Sequence, residues 1–422
     1  MTYRIDERVT KAVALIWTSF DPEAMQQGYD LLTEAAEAGD ADACCFLARC
    51  HLGEAYVWSG GGFETDEEEA AELLRESIER GSAMGVLCAL RTGDLTPDER
   101  ERMPFASLKE AFDAVVAQAE AGDPFSRYVA GNAWFWGDLL EIEGPAWSDR
   151  FRTEEAYDRY AYPIAARYYE QSFESGLANG FGNYRTIFES GLAPIDEQTF
   201  EGWMKRLAAA GNPLVTNDYG ILLETRYDDA AGAFACYRKA FELGDTESAY
   251  NVGVCYGRGY GVAQDLDKAF EYYLAAAEAG HPKAQFAVGN FYFEGRGKIA
   301  QDPARALPWL EQACYNENAE DDFAPAVELA LCYRNGWGCP RNDRRAFALL
   351  EEIEERIDEV WEPLDAQICH ALGTAYTFGR GTEEDIPRGI AWLDRAIELG
   401  SEEAARDRAQ FRKRLFGGWK RR

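Results

Sequence analysis

The chain has three histidines, His51, His281 and His370, and proton-transfer chemistry would have to start from one of them. His281 follows Gly280 at a place where a helix should begin, so it reads as a helix-start residue. His370 falls on a first helix and could face a groove. Neither stands at a spacing from Ser or Cys that makes a nucleophile–base pair. Cys44, Cys45, Cys50 and His51 form a cluster of soft ligands. A structural zinc site needs a second ligand pair at suitable spacing, and no Cys-x-x-Cys is present. Gly259-Tyr260-Gly261 lacks the preceding strand and third glycine of a dinucleotide loop, and no Gly-Lys-Ser/Thr follows it. It reads as a turn between helices. Acidic pairs such as Glu67–Glu69 and Glu351–Glu355 belong to solvated helical faces, because carboxylate catalysis needs a buried pair with separated pKa values. The sequence therefore predicts no catalytic residue, no metal and no cofactor.

Trp134-Phe135-Trp136 is a different kind of signal. Successive helical residues are about 100° apart, so three aromatics in a row cannot all face one core. Either the following insertion, 137–160, covers one of them, or Trp134 or Trp136 is an aromatic anchor for a partner.

Lys plus Arg is 43 and Asp plus Glu is 75, a formal charge of −32. That field repels nucleic acid and anionic membranes and attracts basic proteins. The basic run Arg412, Lys413, Arg414, Lys420, Arg421 and Arg422 reads either as a solvated helix end closing the stack or as a docking tail. Residues 1–20 do not form a signal peptide: the apolar stretch Ala12–Trp17 is short, and Asp6 and Glu7 precede it. No run approaches the ~18 apolar residues of a membrane span. The expectation is a cytoplasmic protein with reduced cysteines, several of which, such as Cys255 and Cys332, are small core residues.

The elements that would position these residues come from an internal repeat. Ser248, Val252, Gly253, Tyr256, Gly259, Gly261, Asp265, Ala269, Tyr272 and Ala276 align with Ala284, Val288, Gly289, Tyr292, Gly295, Gly297, Asp302, Ala306, Trp309 and Ala313. The skeleton returns at Leu329, Ala330, Tyr333, Gly336 and Gly338, and again at Leu372, Gly373, Tyr376, Gly379 and Gly381. In each first helix, offsets 0, 4, 5 and 8 share one face and predict the buried stripe. The Gly on that stripe lets a neighbouring helix approach. The Gly-x-Gly breaks the chain because glycine tolerates φ > 0. Asp265, Asp302 and Asp385 then cap a second helix, with Pro303 in its first turn. Junctions such as Gly39–Asp40, Gly81–Ser82, Gly122–Asp123, Gly211–Asn212, Gly244–Asp245 and Gly400–Ser401 end one helix and start the next.

This skeleton, Ala-x-x-x-Leu-Gly-x-x-Tyr-x-x-Gly-x-Gly-Val…Asp-x-x-x-Ala-x-x-Trp/Tyr, resembles the Sel-1-like repeat, a relative of the tetratricopeptide repeat. Residues 244–400 match it well and 21–243 loosely. The resemblance implies an all-α, right-handed superhelical solenoid of about ten antiparallel helix pairs, acting as an adaptor or scaffold. Three regions are expected: divergent repeats with long insertions over 1–243, regular repeats over 244–400, and a capping helix with the basic tail over 401–422. Some cysteine-rich secreted relatives bind β-lactams and carry paired cysteines within repeats; this sequence lacks that pairing, and the activity is not carried over.

In such stacks, offsets 3, 6 and 10 of the first helices line the concave groove. They give the candidate protein-binding residues Asn251, Arg258, Asn290, Glu294, Glu328, Asn335, Thr374 and Phe378, interspersed with Val254, Ala287, Leu331 and Ala371. The mixture suits an extended peptide, whose amides need partners and whose side chains need small pockets. The expected function is a non-enzymatic scaffold for a protein or peptide partner of basic character. Two alternatives are an immunity or antitoxin-like protein neutralising a basic effector, and a hydrolase using the groove.

Overall fold

The computed structural model of the chain describes residues 6–18, 21–52, 63–316, 323–354, 356–357, 364–413 and 419–421. Glu355, Arg414 and Arg422, named above, lie outside them. Cα packing divides the chain into two compact units, Met1–Ser248 and Ala249–Arg422.

The first unit is a run of six helix pairs. They are α1 (Glu7–Trp17) with α2 (Pro22–Glu37), α3 (Ala41–His51) with α4 (Glu67–Glu79), and α5 (Ala83–Thr92), then the short α6 (Pro97–Arg102), with α7 (Leu108–Glu120). Next come α8 (Pro124–Phe135), two short insertion helices α9 (Leu139–Ile142) and α10 (Pro145–Ser148), and its partner α11 (Glu154–Phe173). The unit closes with α12 (Phe181–Ser190) and α13 (Glu197–Ala209), then α14 (Pro213–Thr225) and α15 (Ala230–Glu242). The second unit holds α16 (Ser248–Arg258, whose first residue still belongs to unit one) with α17 (Leu266–Glu278), and α18 (Pro282–Glu294) with α19 (Pro303–Cys314). It continues with α20 (Ala324–Asn335) and α21 (Asp343–Glu354), α22 (Leu364–Phe378) and α23 (Ile386–Glu398), and a lone α24 (Glu402–Arg408). Among the described residues, ten pairs and a cap match the expected all-helical solenoid class. The exception is the basic tail, where strands β1 (Phe411–Lys413) and β2 (Trp419–Arg421) pair antiparallel, Arg412 opposite Lys420. In place of the expected solvated helix end, the described residues therefore form two short paired strands.

The punctuation acts as its chemistry dictates. Gly39, Gly81, Gly122, Gly211 and Gly400 have φ between 90° and 107°. The residues after them, Asp40, Ser82, Asp123, Asn212 and Ser401, accept backbone N–H bonds as N-caps. His281 does the same through Nδ1, 3.3 Å from the Ala284 nitrogen. Asp265, Asp302 and Asp385 cap α17, α19 and α23.

The stripe glycines are contact points between paired helices. A Cβ on Gly253 would stand 2.7 Å from the Tyr273 ring, one on Gly289 2.8 Å from Leu310, and one on Gly373 2.8 Å from Leu393. Those distances lie inside van der Waals contact, so any side chain at these positions forces its neighbour to shift. Cys255 and Cys332 are buried. No helix among the described residues is long and apolar enough to cross a membrane.

Candidate protein-binding surfaces

In the second unit, α16, α18, α20 and α22 turn their stripes toward their partner helices and leave offsets 3, 6 and 10 on the other face. Asn251 and Asn290 are half-buried there, and Arg258, Glu294 and Asn335 are exposed. Glu328 is half-buried. Burial, and then the neighbouring Glu294, push its carboxyl above the usual range. Glu294 itself accepts from Arg296 Nε at 2.5 Å.

The last repeat departs from the expectation. Thr374 is only 1 % exposed, and its hydroxyl donates to the Ala371 carbonyl of its own helix at 2.9 Å. Ala371 is buried as well. Phe378 is half-buried between Phe411, 5.5 Å away, and the Arg380 guanidinium at 5.1 Å. The physical reason is the cap: α24 and β1 pack against α22 and occupy surface that an inner repeat leaves open. His370 belongs to the same closure. Its Nε2 lies 2.8 Å from Asp407 Oδ2 and its Nδ1 3.8 Å from Glu403 Oε2, both carboxylates supplied by α24. A His–Asp pair of this kind orients an imidazole, but here it fastens the cap to the last repeat.

Unit one contains a second surface, of which the sequence reasoning named only Trp136. First helices α3, α5 and α8 and the turn before α12 enclose a cleft of about 370 Å³, with Arg49, Arg91, Asn132, Trp136, Asn179 and Asn183 along it. Three of these obey one rule. Arg49, Arg91 and Asn132 each stand nine residues after the helix N-cap, respectively Asp40, Ser82 and Asp123, as Asn290 does after His281. The offset applied to the regular repeats would have found them; the irregular unit lengths of the first half hid the register.

Hydrogen bonds tie the cleft lining together. Tyr169 Oη donates to Asn132 Oδ1 at 2.8 Å, and Asn183 Nδ2 bridges the same oxygen and the Tyr169 hydroxyl, both at 3.1 Å. Arg91 Nη2 donates to the Asn132 carbonyl at 3.1 Å and pairs with Asp138. Its guanidinium stands 5.4 Å from the Trp136 ring centre. The Arg49 guanidinium lies 5.1 Å over Phe125, and Nη1 donates to the Cys88 sulfur at 3.7 Å.

The aromatic triplet is split between the two fates considered for it. Trp134 is half-buried and meets Phe112, Trp147 and Tyr160 at 6.0–6.4 Å, the last two from the insertion. Phe135 stacks on Tyr162. Trp136 stays 59 % exposed at the mouth of the cleft. Cys44, Cys45 and Cys50 are buried in α3, and His51 Nε2 lies 3.0 Å from the Tyr29 hydroxyl.

Comparison with known proteins agrees with this architecture. The Sel1 repeat pattern matches residues 41–82, 218–245, 246–281, 282–318, 326–353 and 366–401. Among curated proteins, the chain is 30% identical over 188 residues to chitin synthase regulatory factor 2 of Schizosaccharomyces pombe, covering 42% of this chain and 35% of that protein. It is 29% identical over 147 residues to the chitin synthase regulator SKT5 of Saccharomyces cerevisiae, covering 32% and 20%. The chain thus spans about a third or less of these relatives. A crystal structure of c5321, a protective antigen of uropathogenic Escherichia coli displaying an SLR fold, superposes with a TM-score of 0.57 at 21% identity. It covers 95% of this chain and 78% of that one, and supports the fold.

Proposed function

We propose that this chain, a member of the Sel1 repeat family, is a non-enzymatic adaptor that holds a basic segment of a partner protein on the first-helix face of its second unit. The observation that carries the reading is Glu328. Its carboxyl is half-buried beside Glu294, and no ion pair reaches it among the described residues. The charge of a lysine or arginine arriving there offsets both the desolvation penalty and the like-charge repulsion. Asn290 and Asn335 on the same face offer amide donors and acceptors to an extended backbone. The overall charge of −32 favours the same class of partner by steering it. The fungal relatives are named as regulators of an enzyme, which supports an adaptor reading in general terms.

The test is fluorescence polarisation of a labelled, unstructured Lys/Arg-rich peptide titrated with the full chain at low and high salt. Binding should weaken steeply as salt rises, and Glu328→Gln should weaken it about tenfold, the loss of one partly desolvated charge pair. Because ionisation of Glu328 is already unfavourable in the fold, the Gln variant should remain folded, and circular dichroism checks that. Salt-insensitive binding, or unchanged affinity in Glu328→Gln, would sink the proposal.

A further inference from the structure

We infer that the cleft of the first unit, bordered by Arg49, Arg91, Asn179 and Trp136, is a second binding site, and that it takes an extended peptide segment carrying a carboxylate side chain. This goes beyond the proposed function, which concerns the other unit and a partner of opposite charge.

Charge is the first argument. Arg49 and Arg91 bring two cations to the cleft lining and Asp138 brings one anion, so the cleft is positive by one within a chain of formal charge −32. A local positive site in an acidic protein selects an anion against the overall field, and buried guanidinium groups are suited to planar carboxylates.

Unused hydrogen-bond capacity is the second. Asn179 is only 5 % exposed, and its Oδ1 has no hydrogen-bond partner, an arrangement that costs free energy unless a visitor donates to it. The buried Nε of Arg91 also has none. With Asn132 Oδ1 already accepting from Tyr169 and Asn183, the Asn132 amide nitrogen and the Asn183 carbonyl remain for a ligand. An acceptor (Asn179), donors (Arg91, Asn132) and cations side by side match a peptide backbone N–H, its C=O and an acidic side chain.

Shape is the third. A neighbouring cleft of about 750 Å³ shares Trp136 and Asn183 with the first and is lined by Arg152 together with Glu154 and Asp158, so the excess positive charge, and the place for the carboxylate, lies at the Arg49–Arg91 end. The two clefts meet at the exposed Trp136 ring and Asn183. Two adjoining clefts suit several residues of extended chain better than a compact anion. The indole would cover the peptide, its orientation fixed by the Arg91 guanidinium and Phe135, 4.8 Å away.

The experiment uses the full chain and three labelled eight-residue peptides of one sequence, with Glu, Gln or Lys at alternate positions, read by fluorescence polarisation. The Glu peptide should bind at least tenfold more tightly than the Gln peptide, and the Lys peptide should not compete with it. Asn179→Ala and Trp136→Ala should each weaken the Glu peptide several-fold, whereas Glu328→Gln leaves it unchanged, which separates this site from the one proposed above. Succinate should compete only weakly. Equal binding of Glu and Gln peptides would overturn the charge argument. Full competition by succinate would overturn the peptide assignment. Affinity unchanged in both Asn179→Ala and Trp136→Ala would overturn the location.

Discussion

The Arg388 guanidinium lies 4.3 Å from the centre of the Tyr376 ring, and the Tyr376 hydroxyl donates to Glu354 Oε2 at 2.7 Å. Arg388 and Trp392 both donate to the other oxygen of the same carboxylate, whose side chain is nearly buried. One tyrosine thus joins its own hairpin, through the cation, to the preceding pair, through the acid. The arrangement recurs: Lys268 lies over Tyr256, Arg305 over Tyr292 and Arg345 over Tyr333, while Tyr333 donates to Glu311. Tyr376→Phe keeps the ring over which Arg388 sits but leaves Glu354 one donor short. The expected cost is about 1–3 kcal/mol. It should appear as faster hydrogen exchange in α22 and α23, with the first unit unaffected.

That recurring pair shows what the sequence offered and what it withheld. The tyrosines were legible as stripe positions because burial imposes a helical period. The cations were not, although Lys268, Arg305, Arg345 and Arg388 each stand three residues after the residue opening the second helix, Asp265, Asp302, Asn342 and Asp385. A surface-looking Lys or Arg carries no periodic hydrophobic signal. The second glycine of each Gly-x-Gly was legible as a turn residue, and φ of 75° at Gly338 agrees. Its other duty was hidden: a side chain there would strike the Pro303 carbonyl of the preceding pair, just as one on Gly381 would strike that of Asp343. Thr374 was misplaced because the offset rule describes a repeat with a successor, and α22 has only the cap.

Two glycines in helix interiors should respond in opposite directions. Gly289→Val places its Cβ 2.8 Å from Leu310 Cδ2, so α18 and α19 must separate, at about 1–3 kcal/mol. Gly202 is exposed within α13, with nothing within 4 Å of a built Cβ. Gly202→Ala should therefore stabilise the chain by about 0.5–1 kcal/mol through helix propensity. Melting curves of the two variants, followed by circular dichroism, should shift down and up respectively. A shared direction would contradict the contact geometry.

Asp42 supplies the pH dependence. Burial pushes its carboxyl up to about 6, only partly offset by the 2.5 Å hydrogen bond from Ser82. For a carboxyl raised on folding, ionisation is costlier in the folded chain than in the unfolded one. That penalty is complete above pH 6, shrinks as pH falls through 4, and disappears near pH 3, where both states are protonated. Asp42→Asn keeps an acceptor for Ser82 and removes the charge. It should raise the melting temperature at pH 7–8 by an amount equivalent to no more than about 3 kcal/mol. The difference should narrow as pH falls from 7 to 4 and vanish near pH 3; a constant difference from pH 3 to 8 would assign the effect to something other than the charge.

The two tryptophans of the triplet give the sharpest separation of structure from binding. Trp134 is held among Phe112, Trp147 and Tyr160, and the backbone carbonyl of Trp134 accepts from Tyr157 at 2.8 Å, so it fastens the insertion to α8. Trp134→Ala removes a large half-buried ring and should cost up to about 3–5 kcal/mol if the site does not collapse. Limited proteolysis within 137–160 should accelerate, since the aromatic lock on that segment is gone. Trp136 loses far less on truncation, because most of its ring already meets water and its contact with Arg91 is worth about 0.5–1 kcal/mol. Trp136→Ala should therefore melt close to the parent chain and resist proteolysis as well as it does. If Trp136→Ala unfolds the first unit as readily as Trp134→Ala, its exposure at the cleft mouth is structural, and the clefts that meet at it cannot be a site kept open for a partner.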